Sequence, residues 1–166
     1  MQRLTTEQRN NIVRAAKEWL GTPYHHHARI KHAGADCAMF PLAVYQECGV
    51  LPREYRPPQY SVQWHLHRSE ELYLNEIEKF VMEIDSSPQA ADFIVFRFGR
   101  TFSHGAIVVN WPIVIHSYIP YGVLLSDALR DGELLGREYK CFELRPVAAR
   151  EAARRPTDEL PKAITL

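Results

Sequence analysis

The residues with the clearest chemical potential are one cysteine and two histidines that lie far apart in the chain. Cys37 follows Asp36 at the start of an apolar segment, and His104 and His116 each lie in a β-branched segment downstream. A thiol beside an imidazole forms a nucleophile and its general base, because the imidazole can take the thiol proton. We therefore expect Cys37 to attack a carbonyl carbon, His104 to move the proton, and His116 to hold the His104 ring in the required tautomer.

Each of these residues also has a purely structural interpretation that the sequence leaves open. Cys37 shares a helical stripe with apolar residues, so it could be a small buried side chain. His104 could cap a strand or face solvent at a sheet edge, and His116 could be a core histidine bonded to backbone. Asp92 and Asp127 are alternative orienting groups for the general base, although their spacing does not favour them.

The position of Cys37 relative to the following helix supports the nucleophile interpretation. Asp36 is a natural N-cap, which places Cys37 in the first turn, where unpaired N–H groups favour a thiolate and can donate to an oxyanion. Pro41 cannot donate to the carbonyl of Cys37, and its ring clashes with that carbonyl. The regular helix should therefore begin a residue or two later or bend in its first turn, and both outcomes leave Cys37 at a helix terminus.

The segments around these residues predict an α+β fold, with helices first and antiparallel strands after them. Helical periodicity favours amphipathic helices at residues 5–20, 37–48 and 66–80. β-Branched and aromatic residues favour strands at residues 93–98, 105–109, 113–118 and 139–144, with a short strand at 122–125. A tight turn at residues 110–112 makes the strands of His104 and His116 antiparallel neighbours. The N-terminal helices should pack on this sheet.

Composition limits the partners of the chain. With 166 residues, 46% of them hydrophobic, we expect one domain at residues 1–145 and a weakly ordered tail at 146–166. Twenty basic and twenty acidic residues cancel, which argues against nucleic acid as a partner. No apolar stretch is long enough for membrane insertion, and the N-terminus has no apolar signal core, so we expect synthesis in the cytoplasm. Three widely spaced cysteines predict free thiols, with Cys48 and Cys141 in the core.

A histidine-rich loop precedes Asp36 and invites a metal interpretation. Its imidazoles belong to His25, His26, His27 and His32. Consecutive histidines on an extended loop cannot all turn toward one ion, and the sequence has no zinc-site spacing. We expect a polar loop that borders a cleft, with no metal site. Covalent catalysis by a thiol also requires no metal or cofactor.

Taken together, these motifs resemble the NlpC-type cell-wall peptidase family, a group of papain-like cysteine peptidases. The matching segments are Trp19-Leu20-Gly21-Thr22-Pro23-Tyr24, Asp36-Cys37-Ala38, Ser103-His104-Gly105-Ala106 and Ile115-His116-Ser117. The resemblance implies a papain-like fold and a cysteine peptidase that acts on the stem peptides of bacterial peptidoglycan. It also assigns the catalytic roles to Cys37, His104 and His116. The residues expected to bind substrate are Tyr24, Asp36, Ala38 and Ser103.

The histidine loop followed by Asp36-Cys37 resembles the branch of this family that is encoded with phage tails. This implies phage tail proteins as further partners and action at the cell wall, either as part of a tail or after lysis. The chain departs from the family at Ala38, where a serine is usual, and at Pro41. That serine hydroxyl can help to recognise the free amine of the stem peptide, so its loss puts the peptide preference in question. Alternatives are a thiol amidase or acyltransferase of the same fold and a module that binds the cell wall without cutting it.

Overall fold

A computed structural model of the chain describes residues 3–60 and 72–145. Residues 146–166, predicted as a weakly ordered tail, lie outside this described part of the chain. So do residues 66–71, the first part of the third predicted helix. Across the described ranges, no helix combines the length and the apolar character that a bilayer crossing demands.

Three helices lie in the described ranges. The first, α1 (Thr6–Lys17), begins with a capping box in which the Thr5 and Gln8 side chains each accept a hydrogen bond from the other residue's backbone N–H. It ends three residues before the predicted limit because residues 18–20 form a tighter turn of i→i+3 bonds. The second, α2 (Met39–Glu47), follows Cys37, and the third, α3 (Leu72–Ile77), ends three residues before the predicted limit at residue 80.

In the described part of the chain, eight strands form a small ribbon and a six-stranded antiparallel sheet. The ribbon consists of β1 (Arg29–Ile30) and β2 (Gly34–Ala35) in the histidine loop. The sheet has the order β3-β8-β4-β5-β6-β7. Its strands are β3 (Val81–Glu83), β4 (Phe93–Phe98), β5 (Thr101–Asn110), β6 (Ile113–Tyr118), β7 (Gly122–Asp127) and β8 (Tyr139–Leu144).

The sheet has two apolar faces with different partners. On one face, Phe93, Ile107 and Ile115 pack with buried residues of α1 and α2 in the larger core cluster. On the other face, Ala106 and Val108 belong to a smaller cluster that contains no helical residue. The predicted fold class, N-terminal helices packed on an antiparallel sheet, is therefore confirmed.

The main corrections concern short elements. The sequence did not predict β1, β2 or β3, because strands of two or three residues have too few alternations to give a period-two pattern. β5 begins at Thr101 instead of residue 105, so His104 lies inside the strand and not at its start. The turn at residues 110–112 makes β5 and β6 antiparallel neighbours, as predicted.

Candidate active site

The backbone immediately before Cys37 is held from two sides. The N–H of Ala35 donates to the carbonyl of Pro23 at 3.0 Å, and the Ser117 hydroxyl of β6 donates to the carbonyl of Ala35 at 2.8 Å. Tyr24 forms an isolated parallel bridge with Ala35. These bonds hold the Pro23-Tyr24 segment and β6 against the residues just before α2. They therefore fix the position of Cys37 beside the sheet.

Asp36 caps the start of α2. Its Oδ1 accepts from the N–H groups of Ala38 and Met39 at 3.1 and 2.8 Å, and its carbonyl accepts from Phe40 N–H at 3.0 Å. The carbonyl of Cys37 has no such bond, because its i+4 partner is Pro41. The regular helix therefore begins at Met39, after Cys37, as the position of Pro41 predicts.

Cys37 lies against β5. Its Sγ is 3.9 Å from the carbonyl oxygen of Ser103, the residue before His104, and the side chain is partly exposed. Desolvation, and after it the charge of Asp36, raises the pKa of the thiol well above its ordinary value, while the N–H groups of Cys37 and Gly105 act in the opposite direction. The N–H of Cys37 thus acts in the direction predicted for a helix terminus, but burial outweighs its effect on the thiol pKa.

His104 and His116 form a hydrogen-bonded pair inside the sheet. His104 Nε2 lies 2.7 Å from His116 Nδ1, and His116 Nε2 lies 2.9 Å from the Ser126 hydroxyl of β7. The pairing of Ile107 with Ile115 places His116 diagonally from His104 on the same face of the sheet. His104 is 5% exposed and His116 is 1% exposed, so water does not compete strongly for these bonds.

The chemistry of the pair follows from its protonation states. Burial lowers the pKa of His116 to about 4, so His116 is neutral at pH 7. A protonated His104 donates from both ring nitrogens, and His116 must then present a bare Nδ1 and carry its proton on Nε2, facing Ser126. In this arrangement, Nε2 is the His104 ring nitrogen that faces His116.

His104 was expected to share a face with Ala106 and Val108 that points at the packed helices. The shared face is correct, but Ala106 and Val108 belong to the cluster without helical residues. Cys37 instead contacts the backbone on either side of His104, at Ser103 and Gly105. The start of α2 therefore meets the main chain of β5.

The residues predicted to bind substrate surround the sulfur. The charges of Cys37 and Asp36 act on the Tyr24 hydroxyl, whose pKa is raised by burial and then by these two groups. Ala38 follows Cys37 and is partly exposed, and Ser103 offers its carbonyl to the sulfur. Asp36 is fully buried with protein donors on both carboxylate oxygens. Substrate contact by these four residues remains a prediction.

Sequence reasoning missed Ser126, Tyr60 and Tyr73. The Tyr60 hydroxyl donates to Asp36 at 2.7 Å, and Tyr73 approaches so closely that a Cβ on Gly105 would lie 2.4 Å from its hydroxyl oxygen. Tyr60 lies before the third predicted helix and Tyr73 lies within it, and neither position carries a spacing that points to Cys37. Ser126 was within reach of prediction, because extending the short strand at 122–125 by one residue places it in the register beside His116.

The alternative orienting carboxylates bond elsewhere. Asp92 accepts from Arg9 at 2.6 Å, and Asp127 accepts from the N–H of Leu129 at 2.9 Å and faces Arg130. Within residues 3–60 and 72–145, no group of three or more metal-ligating side chains is close enough to hold an ion.

A cavity of about 480 Å³ begins beside Ala38 and extends under the loops that precede the sheet. Its described lining is mainly aliphatic and aromatic, with Leu42, Tyr45 and Phe93 on its inner wall. Tyr60 and Tyr73 border it on the side of the nucleophile. A sizeable apolar group therefore fits within a few residues of Cys37.

The fold is that of an NlpC/p60 domain. The NlpC/p60 domain of the peptidoglycan hydrolase SagA matches with a TM-score of 0.54 and 19% identity over 80% of this chain and 96% of that one. An NlpC/p60 family protein from Bacillus cereus gives a TM-score of 0.56 and 18% identity over 84% of this chain and 40% of that one. NlpC2 from Trichomonas vaginalis gives 0.59 and 15% identity over 85% and 48%.

The chain thus spans nearly all of the SagA domain but less than half of the Bacillus cereus and Trichomonas vaginalis proteins. No family model matches the sequence. No curated protein matches it either.

Proposed function

We propose that this chain is a cysteine peptidase that hydrolyses peptide bonds in the stem peptides of bacterial peptidoglycan through a thioester. The observation that carries the proposal is the chain of contacts from the Cys37 sulfur to the backbone beside His104, and from His104 through His116 to Ser126. SagA is a peptidoglycan hydrolase whose NlpC/p60 domain shares this fold, which supports the choice of substrate.

In the first half of the reaction, the Cys37 thiol gives its proton to Nδ1 of His104 and the sulfur attacks the carbonyl carbon. The Cys37 N–H stabilises the resulting oxyanion. The C–N bond then breaks, and His104 returns the proton to the leaving amine. In the second half, His104 takes a proton from water and the hydroxide attacks the thioester carbonyl. The C–S bond then breaks, His104 returns the proton to the Cys37 sulfur, and a carboxylic acid leaves. His116 holds the imidazolium of His104 in both halves.

The protonated resting thiol fits a general-base route. Because burial and Asp36 hold the pKa of Cys37 high, sulfur and imidazole do not form an ion pair in advance. The proton moves when the substrate carbonyl is in place, since negative charge then passes from sulfur to the oxyanion. Reaction with a bound amide is therefore expected to be faster than reaction with small electrophiles at neutral pH.

A second candidate is a thiol amidase or acyltransferase that acts on a lipid-like acyl group. The apolar cavity beside Ala38 favours it, because a peptidoglycan stem does not need an apolar pocket of that size. The same thiol and imidazole would perform the acyl transfer, so only the substrate distinguishes the two candidates.

Delivery by a phage tail is part of the proposal, with tail proteins as partners of the peptidase. Its support is the resemblance of the histidine loop and Asp36-Cys37 to the tail-associated branch. Tail-assembly genes on both sides of the coding gene are the expected context, and a housekeeping context would contradict this part of the proposal.

The experiment is a digestion of purified stem peptides, with acylated lipids and simple amides as parallel substrates, followed by mass spectrometry of the products. We expect one new amine and one new carboxylate in the stem peptide. Loss of the nucleophile in Cys37→Ala should abolish cleavage, whereas Cys48→Ala, which removes another partly exposed thiol, should leave it unchanged. Equal cleavage by wild type and Cys37→Ala would overturn the mechanism, and turnover of the lipids alone would favour the second candidate.

A further inference from the structure

We propose that Tyr60 is a positioning residue that sets the reactivity of the Cys37 thiol through Asp36, and that His26 and His27 hold Tyr60 in place. The proposal rests on the proposed function for the role of Cys37. It gives the histidine loop a structural purpose that the sequence did not reveal.

Asp36 connects Tyr60 to the nucleophile. The Tyr60 hydroxyl donates to Asp36 Oδ2 at 2.7 Å, while the other oxygen of the same carboxylate caps the turn that contains Cys37. Asp36 is 0% exposed, so its negative charge is stabilised by protein hydrogen-bond donors and not by bulk water. Losing one donor from such a carboxylate has a larger effect than losing a surface hydrogen bond.

The histidine loop contacts both partners of the hydrogen bond between Tyr60 and Asp36. The ring of His27 stacks on Tyr60 with a centroid distance of 4.1 Å, and its Nε2 accepts from Tyr60 N–H at 3.2 Å. The backbone N–H of His27 donates to Asp36 Oδ2 at 2.8 Å. His26 adds a donor from Nε2 to the Tyr60 carbonyl at 2.9 Å, and its Nδ1 lies 3.5 Å from Asp36 Oδ2. Tyr60 is thus fixed through its ring, its backbone and its hydroxyl.

The charge on Asp36 reaches the sulfur. Asp36 is the main electrostatic group that raises the pKa of the Cys37 thiol, after burial. Each donor to the carboxylate draws negative charge away from the sulfur and so weakens this effect. Burial, and then Asp36, also raises the pKa of the Tyr60 hydroxyl far above its ordinary value, so Tyr60 remains a donor throughout any practical pH range.

The other titratable groups that face this centre come from three neighbouring elements. Tyr24 lies on the loop before the ribbon, Tyr73 lies on α3, and His104 lies on β5, with Cys37 next to its preceding residue. The hydroxyl pKa values of Tyr24 and Tyr73 are raised, mainly by burial and then by Cys37 and Asp36. Both tyrosines therefore stay neutral in the pH range of thiol alkylation. The charged group whose effect on the sulfur Tyr60 modifies is then Asp36.

The test is the pH dependence of Cys37 alkylation by iodoacetamide, measured on the Cys37 peptide by mass spectrometry. Tyr60→Phe keeps the ring that stacks on His27 and removes only the hydroxyl. We expect its rate–pH profile to move to higher pH, with alkylation at pH 8 slowed by about threefold or more. A purely structural contribution of Tyr60 would lower stability without moving this profile.

The matched control is Tyr55→Phe, from the same connecting segment. It loses a similar hydroxyl–carboxylate bond, to Glu76 at 2.6 Å, which does not involve Asp36. Its alkylation profile should coincide with that of wild type. An unshifted profile for Tyr60→Phe, or an equal shift in both variants, would overturn the proposal. If Tyr60→Phe lacks native circular dichroism, His27→Asn, which tolerates the positive φ of 62° there, carries the same expected shift and the same criterion.

The readout requires no substrate, so the two proposals fail in different ways. A shifted profile in a chain that cleaves no stem peptide would leave the role of Tyr60 intact and remove the peptidase function. Cleavage by wild type together with an unshifted profile in Tyr60→Phe would retain the peptidase function and remove the role of Tyr60.

Discussion

At the residue scale, the centre depends on two groups that burial keeps uncharged. The Cys37 thiol has its pKa raised by burial and Asp36, and His116 has its pKa lowered to about 4 by burial. Burial therefore keeps the Cys37 thiol protonated and the His116 ring neutral in the resting chain. The bonds of His116 to His104 and Ser126 fix which of its ring nitrogens carries the proton. In the proposed mechanism, His104 is the group through which the proton passes.

The lowered pKa of His116 predicts a loss of stability in acid. Above its ordinary pKa of 6.5, His116 is neutral in both folded and unfolded chains. Between about pH 6.5 and about pH 4, the unfolded chain binds a proton that the folded chain excludes, so the free energy of unfolding falls as the pH falls. Urea unfolding at a series of pH values measures this slope.

His116→Asn is the control for that measurement. Asparagine can still accept from His104 Nε2 but does not titrate, so the slope between pH 6.5 and about 4 should be shallower than in wild type. Identical slopes for the two proteins would mean that His116 is not the buried neutral histidine described above. Carboxylates such as Asp131, which acts on His116, remain in both proteins and cancel in the comparison.

At the element scale, β5 and the start of α2 meet where neither is regular. Pro41 removes a helical bond to Cys37, which leaves the turn of Cys37 outside the regular helix. On the strand, Gly105 leaves room for the Tyr73 hydroxyl and the Phe93 ring. The missing side chain allows α3 and β4 to approach β5 beside the sulfur.

Gly105→Ala should therefore destabilise the chain. The added Cβ would lie 2.4 Å from the Tyr73 hydroxyl oxygen and 2.8 Å from the Phe93 ring, and both side chains are buried. Overpacking of this kind costs about 1–3 kcal/mol, measured as a lower urea midpoint. Gly132→Ala, where nothing lies within 4 Å of the new Cβ, should leave the midpoint nearly unchanged. Equal midpoints for Gly105→Ala and wild type would contradict the packing around β5.

Elements with strong local patterns were predictable. The strands at 93–98, 113–118 and 139–144 have the predicted limits, and the effect of Pro41 on α2 follows from its missing N–H. The ribbon of the histidine loop was not predictable, because Arg29–Ile30 and Gly34–Ala35 are too short for a periodic signal. The face of β5 toward which His104 points depends on how the sheet packs, which no local pattern encodes.

At the scale of the whole molecule, the order of elements fixes which residues can meet. The helices precede the strands of the six-stranded sheet in the chain, and the sheet order places β5 and β6 next to each other beside the helical layer. This explains why the order and spacing of the strands could predict that His104 and His116 lie close together. Tyr60 and Tyr73 reach the same site from a loop and from α3, and no local pattern encodes that meeting.

The central claim is that Cys37 becomes acylated during turnover, and competition by hydroxylamine tests it most directly. A thioester partitions between water and a better nucleophile, so wild type acting on a stem peptide should release a hydroxamate in proportion to the hydroxylamine present. Cys37→Ala should form neither acid nor hydroxamate. Cleavage that gives only the free acid at every hydroxylamine concentration, and that Cys37→Ala retains, would contradict the account.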